Sequence, residues 1–187
     1  MRDPGDDSRL IEGLKAGKSD SFATFVETFS PAIFRLARLK LGNAAAAEDA
    51  SQVVFLKAFM KIHTLNSERL FSWVLKIARN HCFDILRKRT KTPEMLVDFS
   101  ADAMENVVAE MAPSALLSRD TPASGEEMPD FLQELNETAR EIVLLRVIEE
   151  LDYREIAEIT GMVEGSVRNV FSKAMRSLRE GAESNEM

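Results

Sequence analysis

Between Asp152 and Arg179 the chain reads DYREIAEITGMVEGSVRNVFSKAMRSLR, and its residue types suit contact with nucleic acid. On a helix turning by about 100° per residue, Gly165, Asn169, Ser172, Lys173 and Arg176 share an outer face. Ser166, Arg168 and Arg179 flank it. Lys and Arg can meet phosphates, and Asn and Arg can read base edges. Val167, Phe171, Ala174, Met175 and Leu178 fall on the other side, where Ile156, Ala157 and Leu144 would complete a small core. Asp152 with Glu155 has the spacing of a capping box, and Gly161 closes the helix that the box opens. A short capped helix, a tight turn and a longer basic-faced helix make the helix-turn-helix pattern, whose second helix enters a DNA major groove. A plain solvated charged face is the alternative. The preceding cap, the small Ala157 and the Gly161 turn weigh against it.

A second basic stretch, FSWVLKIARNHCFDILRKR, predicts a helix over Phe71–Arg89. Phe71, Val74, Ala78, Cys82 and Ile85 would face inward. Lys76, Asn80, Phe83 and Arg87 would face outward, flanked by Trp73, Arg79 and Asp84. Cations interleaved with rings suit single-stranded nucleic acid, where charge tracks phosphates and aromatics stack on unpaired bases. Trp73 and Phe83 could equally close the edge of the core. A third helix, Ala44 to about Ile62, carries AEDASQVVFLKAFMKI. Val54, Phe55, Ala58 and Ile62 would point inward, leaving Asp49, Gln52, Val53, Leu56 and Lys57 as an outer strip. Exposed Val53 and Leu56 beside acids suit the groove of a protein partner. A core helix with ordinary polar edges has the same pattern.

No catalytic constellation stands beside these surfaces. The chain has no P-loop, no glycine-rich dinucleotide turn and no GxSxG. Its single cysteine, Cys82, excludes an internal disulfide and a thiolate-rich zinc site; His63 and His81 alone make a catalytic metal site an unsupported reading. The expectation is a binding protein, not an enzyme, with no cofactor, metal or small-molecule substrate. No apolar run reaches the roughly 18 residues of a membrane span, and the acidic start MRDPGDDSRL does not read as a secretory signal. A cytoplasmic protein without direct membrane insertion is expected.

These elements must be positioned by a helical framework. The 187 residues are 45% hydrophobic and 29% charged, glycine and proline are sparse, and no strand alternation dominates, so the expected class is all-α. The net charge of -7 is unevenly spread: residues 30–90 carry +7, residues 91–130 carry -7, and residues 131–187 carry -5. The acidic segment also holds Pro93, Pro113, Pro122 and Pro129 without a sustained helical period, which reads as a flexible acidic linker. Two small helical domains should flank it. The expected division is a lead-in over 1–20, a first domain over 21–91, the linker over 92–130 and a second domain over 131–183. In the first, helices are predicted near Arg9–Ala16, Asp20–Phe29 and Pro31–Lys40, with Gly42 stopping one helix and Asn43 capping the next. A connector, His63–Leu70, should precede the basic-aromatic helix. In the second, a helix over Thr138–Glu149 should open on a Thr138–Glu141 capping box, and the last helix should span about Glu164–Glu180.

Taken together, AEDASQVVFLKAF, FSWVLKIARNHCFDILRKR and ETAREIVLLRVIEELDYREIAEITGMVEGSVRNVFSKAMRSLRE resemble the extracytoplasmic-function branch of bacterial sigma factors. The resemblance covers about Phe22–Lys91 and Phe131–Glu180. It implies a sigma-2-like helical bundle and a sigma-4-like helix-turn-helix. Asp49, Gln52, Val53, Leu56 and Lys57 would then contact the β′ clamp helices of core RNA polymerase. Trp73, Lys76, Arg79, Asn80, Phe83, Asp84 and Arg87 would recognise and open the −10 element of promoter DNA, with a flipped base held near the connector. Ser166, Arg168, Asn169, Ser172, Lys173 and Arg176 would read the −35 element, beside the β flap. The acidic linker would run toward the polymerase cleft, where its charge suits basic walls. An anti-sigma factor is a further expected partner, one that could hold the chain at the membrane. Four positions depart from the family pattern: Val53 where an acid is usual, Val163 where a serine cap is usual, Val170 where a base is common, and Glu150 in place of a common glycine.

Two rival readings remain at the level of sequence. One is a helix-turn-helix regulator that binds duplex DNA without polymerase; its usual basic domain and dimer interface are not evident. The other is a sigma mimic that titrates an anti-sigma factor; its usual receiver domain is absent from this sequence, and it would need no base-reading side chains.

Overall fold

The computed structural model describes residues 4–65, 69–90 and 132–185. The chain divides into two compact units, one within Arg2–Ser124 and one within Gly125–Met187. The acidic segment over 92–130 and the middle of the connector, residues 66–68, lie outside the described residues. Every regular element among the described residues is helical.

In the first unit, α1 (Pro4–Lys15), α2 (Ser19–Leu41), α3 (Ala44–Lys61), a 3₁₀ turn (Ile62–Thr64) and α4 (Leu70–Thr90) follow one another. Helix α2 is central and packs on α1, α3 and α4. Its apolar residues recur at three- and four-residue spacing, and Phe22, Phe25, Phe29, Ile33 and Leu36 are all buried. Phe25 lies 4.9 Å from Phe29 and 5.3 Å from Phe55 of α3, measured between ring centroids; Phe29 in turn lies 5.6 Å from Phe71 of α4. One aromatic cluster thus joins three helices.

The sequence predicts a break at Pro31, but α2 runs through it as a single helix. An interior proline removes a hydrogen bond and crowds the preceding turn, at about 3 kcal/mol. The buried stripe outweighs that cost: Phe25, Val26 and Phe29 precede Pro31, and Ala32, Ile33 and Leu36 follow it without a lapse. Gly42 then ends α2 in the left-handed region at φ 80°, and Asn43 Oδ1 accepts from the Ala46 N–H at 2.7 Å to open α3. Helix α1 is tied in by buried Ile11 and Leu14. A Cβ at Gly13 would collide with the Ser21 side chain, so the close approach of α1 to α2 requires glycine there.

In the second unit, α5 (Glu137–Val143) leads into a π-helical turn (Leu144–Ile148), followed by α6 (Tyr153–Thr160) and α7 (Glu164–Asn185). The predicted Thr138–Glu141 capping box is replaced by a cap two residues earlier. Asn136 Oδ1 accepts from the Ala139 N–H at 2.9 Å, and Glu141 is buried. Asn is a stronger N-cap than Thr, which moves the start of the helix. The predicted α-helix to Glu149 also ends early, because the chain widens after Val143 so that the Glu149 N–H donates to the Leu144 carbonyl. Ile142, Val143, Leu144 and Leu145 are all buried in this stretch. Helix α7 runs past the predicted end at Glu180.

Glu150 follows with φ 56°, the only positive-φ residue other than glycine among those described. The left-handed conformation costs a side-chain-bearing residue about 1–2 kcal/mol. Glu150→Gly is therefore expected to raise the stability of the second unit by about 1 kcal/mol, read as a higher unfolding midpoint. A lower midpoint would mean that contacts of the Glu150 side chain outweigh its backbone strain.

The predicted Asp152–Glu155 capping box is present in both directions: the Glu155 N–H donates to Asp152 Oδ1 at 2.7 Å and the Asp152 N–H to Glu155 Oε2 at 3.0 Å. Gly161 closes α6 at φ 72°. Val167 and Ala174 are buried, and Val170, Phe171 and Leu178 pack around Leu132, Leu135, Ala139 and Val143. Val170 is thus an edge of the core.

Candidate nucleic-acid interface

Helix α7 carries Gly165, Ser166, Arg168, Asn169, Ser172, Lys173, Arg176 and Arg179 on exposed positions. Burial of Val167 and Ala174 fixes the helix's rotation, which turns Asn169, Ser172, Lys173 and Arg176 outward. Arg168 stands on the flank, where both Nη2 and Nε donate to Glu164 Oε1, at 2.6 Å and 3.2 Å. This bond raises its already high pKa. Its guanidinium also lies over the Tyr153 ring, 4.8 Å from the centroid. Arg146, whose Nη1 donates to the Leu151 carbonyl, lies over the same ring at 5.1 Å. Tyr153 further meets Phe171 edge-on at 5.9 Å. Tyr153 and Arg146 were not among the residues singled out from sequence; an aromatic at the first position of α6, four residues before the small Ala157, was the available sign.

Helix α4 exposes Lys76, Asn80, Phe83 and Arg87, with Trp73, Arg79 and Asp84 half-buried beside them. Arg87 Nη2 bonds Asp84 Oδ1 at 3.0 Å on the helix surface. Phe83 is 37% exposed, yet its ring is not bare: the Arg79 guanidinium lies 4.5 Å and Lys40 Nζ 4.9 Å from its centroid. Lys40 comes from the last turn of α2, so two helices bring cations to one ring. Inward, Val74, Ala78 and Cys82 are fully buried, and Cys82 acts as a small apolar residue.

On α3, Asp49 and Gln52 are exposed, whereas Val53, Leu56 and Lys57 are half-buried. The sequence pattern predicts Val53 and Leu56 exposed; adjacent to buried Val54 and Phe55, they are instead partly shielded by the same packing. Met60, one turn beyond Leu56, is 52% exposed and extends the strip. Its i+4 spacing from Leu56 was the sign available in the sequence.

Lys57 Nζ bonds His81 Nδ1 at 2.9 Å, joining α3 to α4. An ammonium only donates, so Nδ1 is the acceptor and the imidazole proton sits on Nε2. Burial, then the Lys57 charge, depress the His81 pKa to about 4, and burial lowers that of Lys57. The folded state binds the His81 proton less readily than the unfolded chain. Its contribution to stability is therefore intact above the ordinary value of 6.5 and is lost as pH falls from there toward 4. Acid should lower the unfolding midpoint of the parent more than that of His81→Gln over this interval; equal slopes would contradict the assignment.

Among the described residues, no cluster of His, Cys, Asp or Glu could hold a metal ion, and no helix is long and apolar enough to cross a membrane.

Known proteins share this arrangement. The pattern described as "Sigma-70 region 2" matches residues 25–92, and that described as "Sigma-70, region 4" matches residues 126–178. The ECF RNA polymerase sigma factor SigW of Bacillus subtilis (strain 168) is 30% identical over 178 residues, covering 92% of this chain and 94% of that protein. Among solved structures, CnrH in complex with the cytosolic domain of CnrY has a TM-score of 0.64 at 19% identity, covering 95% of this chain and 97% of CnrH. The sigma factor RpoE of Bartonella quintana, in complex with the anti-sigma factor NepR, has a TM-score of 0.59 at 23% identity, covering 85% of this chain and 94% of RpoE. Those two likenesses establish the fold, while the two matched regions and the extent of the SigW likeness establish the family. The chain belongs to the extracytoplasmic-function sigma factors of the sigma-70 family, proteins that direct transcription initiation.

Proposed function

We propose that the chain divides the work of initiation among three helix surfaces. The α3 strip of Asp49, Gln52, Val53, Leu56 and Lys57, extended by Met60, docks on the β′ clamp helices of core RNA polymerase. Trp73, Lys76, Arg79, Asn80, Phe83, Asp84 and Arg87 of α4 engage and open the −10 element. Ser166, Arg168, Asn169, Ser172, Lys173 and Arg176 of α7 engage the −35 element, with the second unit against the β flap. The first domain spans 21–91 and the second 131–183, joined by the acidic linker over 92–130. No bond is made or broken. The free energy comes from phosphate contacts and base capture, and the protein acts in the bacterial cytoplasm.

The observation that carries this reading is the concentration of exposed basic and polar side chains on α4 and α7, within the segments that match regions 2 and 4. An anti-sigma partner is supported by the company the fold keeps, since CnrH was solved with part of CnrY and RpoE with NepR. The test is to add the purified full chain to core polymerase with a promoter library. Specific initiation that depends on both elements is expected. Duplex binding without polymerase and without initiation would replace this reading with that of a free regulator.

A further inference from the structure

We propose that Glu164 is an intramolecular competitor for Arg168: it occupies the guanidinium until a DNA phosphate takes its place. This rests on the assignment of α7 to the −35 element. Three observations carry it. The Nη2 and Nε bonds of Arg168 converge on one carboxylate oxygen, Glu164 Oε1, at 2.6 Å and 3.2 Å. The pair is solvent-accessible, with side chains 60% exposed for Arg168 and 43% for Glu164, so an incoming anion can reach it. The guanidinium also rests 4.8 Å from the centroid of the Tyr153 ring, which would keep it on the α7 flank after the carboxylate lets go.

The position of the pair explains the competition. Recognition helices enter the groove by their N-terminal end, and flanking residues there meet the phosphates that line it. Arg168 stands one turn into α7. A free guanidinium at that place would attach to any duplex, because phosphate contacts carry no sequence information. Pairing with Glu164 cancels its charge in the unbound state. The flank becomes attractive only where the outer face of α7, with Asn169 and Arg176, has brought a phosphate close enough to exchange for the carboxylate. Glu164 would therefore restrain sequence-independent binding while Arg168 remains available for it.

The experiment uses the full chain assembled with core polymerase. Closed-complex formation on promoter and random duplex is measured across a salt series for the parent, Glu164→Gln, Arg168→Ala, the double variant and Arg176→Ala. Glu164→Gln should bind random duplex several-fold more tightly, and the slope of log K against log salt should steepen by up to about 0.9, the value of one further phosphate contact. The double variant should lose that gain. A gain that persists without Arg168 would mean simple removal of a repelling charge, and an unchanged slope would mean that the pair only supports the helix; either overturns the proposal. A gain in affinity cannot come from a damaged fold, and melting temperatures near the parent's check this directly. If Arg176→Ala is silent as well, α7 is not the DNA face and the functional assignment itself fails. If Arg176→Ala weakens binding while the Glu164–Arg168 cycle is flat, only the competitor role fails.

Discussion

Replacing Phe25 by Ala is expected to destabilise the first unit by about 3–5 kcal/mol, the usual cost of removing a buried aromatic ring. Phe25 is fully buried and its ring neighbours Phe22, Phe29 and Phe55, at 6.3 Å, 4.9 Å and 5.3 Å between centroids. A small domain has about 5–15 kcal/mol of stability in all, so the loss removes a large share of it. The consequence for function is specific, because Phe25 seats α3 through Phe55 and α4 through Phe29 and Phe71. Both the proposed polymerase strip and the proposed −10 face would lose their frame together. The second unit has its own core around Leu132, Ala139, Val143 and Ala174 and should be spared. The single tryptophan, Trp73, lies in the first unit and the single tyrosine, Tyr153, in the second, so the two can be followed separately. A denaturant midpoint by Trp73 fluorescence should fall steeply in Phe25→Ala. A shift worth less than about 1 kcal/mol would show that the ring cluster is not what holds the helices in register.

What could be read without coordinates was what is decided locally. Asn43, the Asp152–Glu155 box and the left-handed Gly42 and Gly161 each act within one turn of chain, and their residue types are nearly sufficient for their roles. The buried stripes of α4 and α7 also followed from spacing alone, since Val74, Ala78, Cys82, Val167 and Ala174 are all inside. A sequence does not show what a distant contact decides. Pro31 looks like a boundary until the packing of Phe29 and Ile33 on both sides of it is counted. The π turn after Val143 depends on which faces of that stretch the second core takes up.

The candidate site shows the same division. Which residues of α7 point outward was legible, because a single periodicity sets it. What Arg168 does on that surface was not, because Tyr153 reaches it from another helix. The same holds for Lys40 on Phe83 and for Lys57 on His81, two contacts that join residues far apart in the chain. A helix wheel gives the direction of a side chain but not the rotation of the neighbouring helix that it meets.

Arg176→Ala is expected to cost about 1–3 kcal/mol of discrimination among −35 sequences, a factor of roughly 5 to 150 in relative affinity. Arg176 is exposed on α7, on the side opposite buried Ala174 and Val167, and stands beside Ser172 and Lys173. Unlike Arg168, it lies near the centre of the outward face and not on its flank. A guanidinium in that place can bond the two acceptors of a guanine edge at once, and alanine leaves those acceptors without a partner in the groove. The loss should therefore concentrate at one base pair of the element when holoenzyme is assayed against every single substitution in it. A phosphate contact behaves otherwise: all sequences weaken alike, and the dependence of log K on log salt becomes shallower by about 0.9. The two patterns cannot be confused, since one changes the ranking of sequences at constant salt slope and the other changes the slope at constant ranking. The uniform pattern would move Arg176 from base reading to the backbone and leave Asn169 as the principal reader of bases on α7.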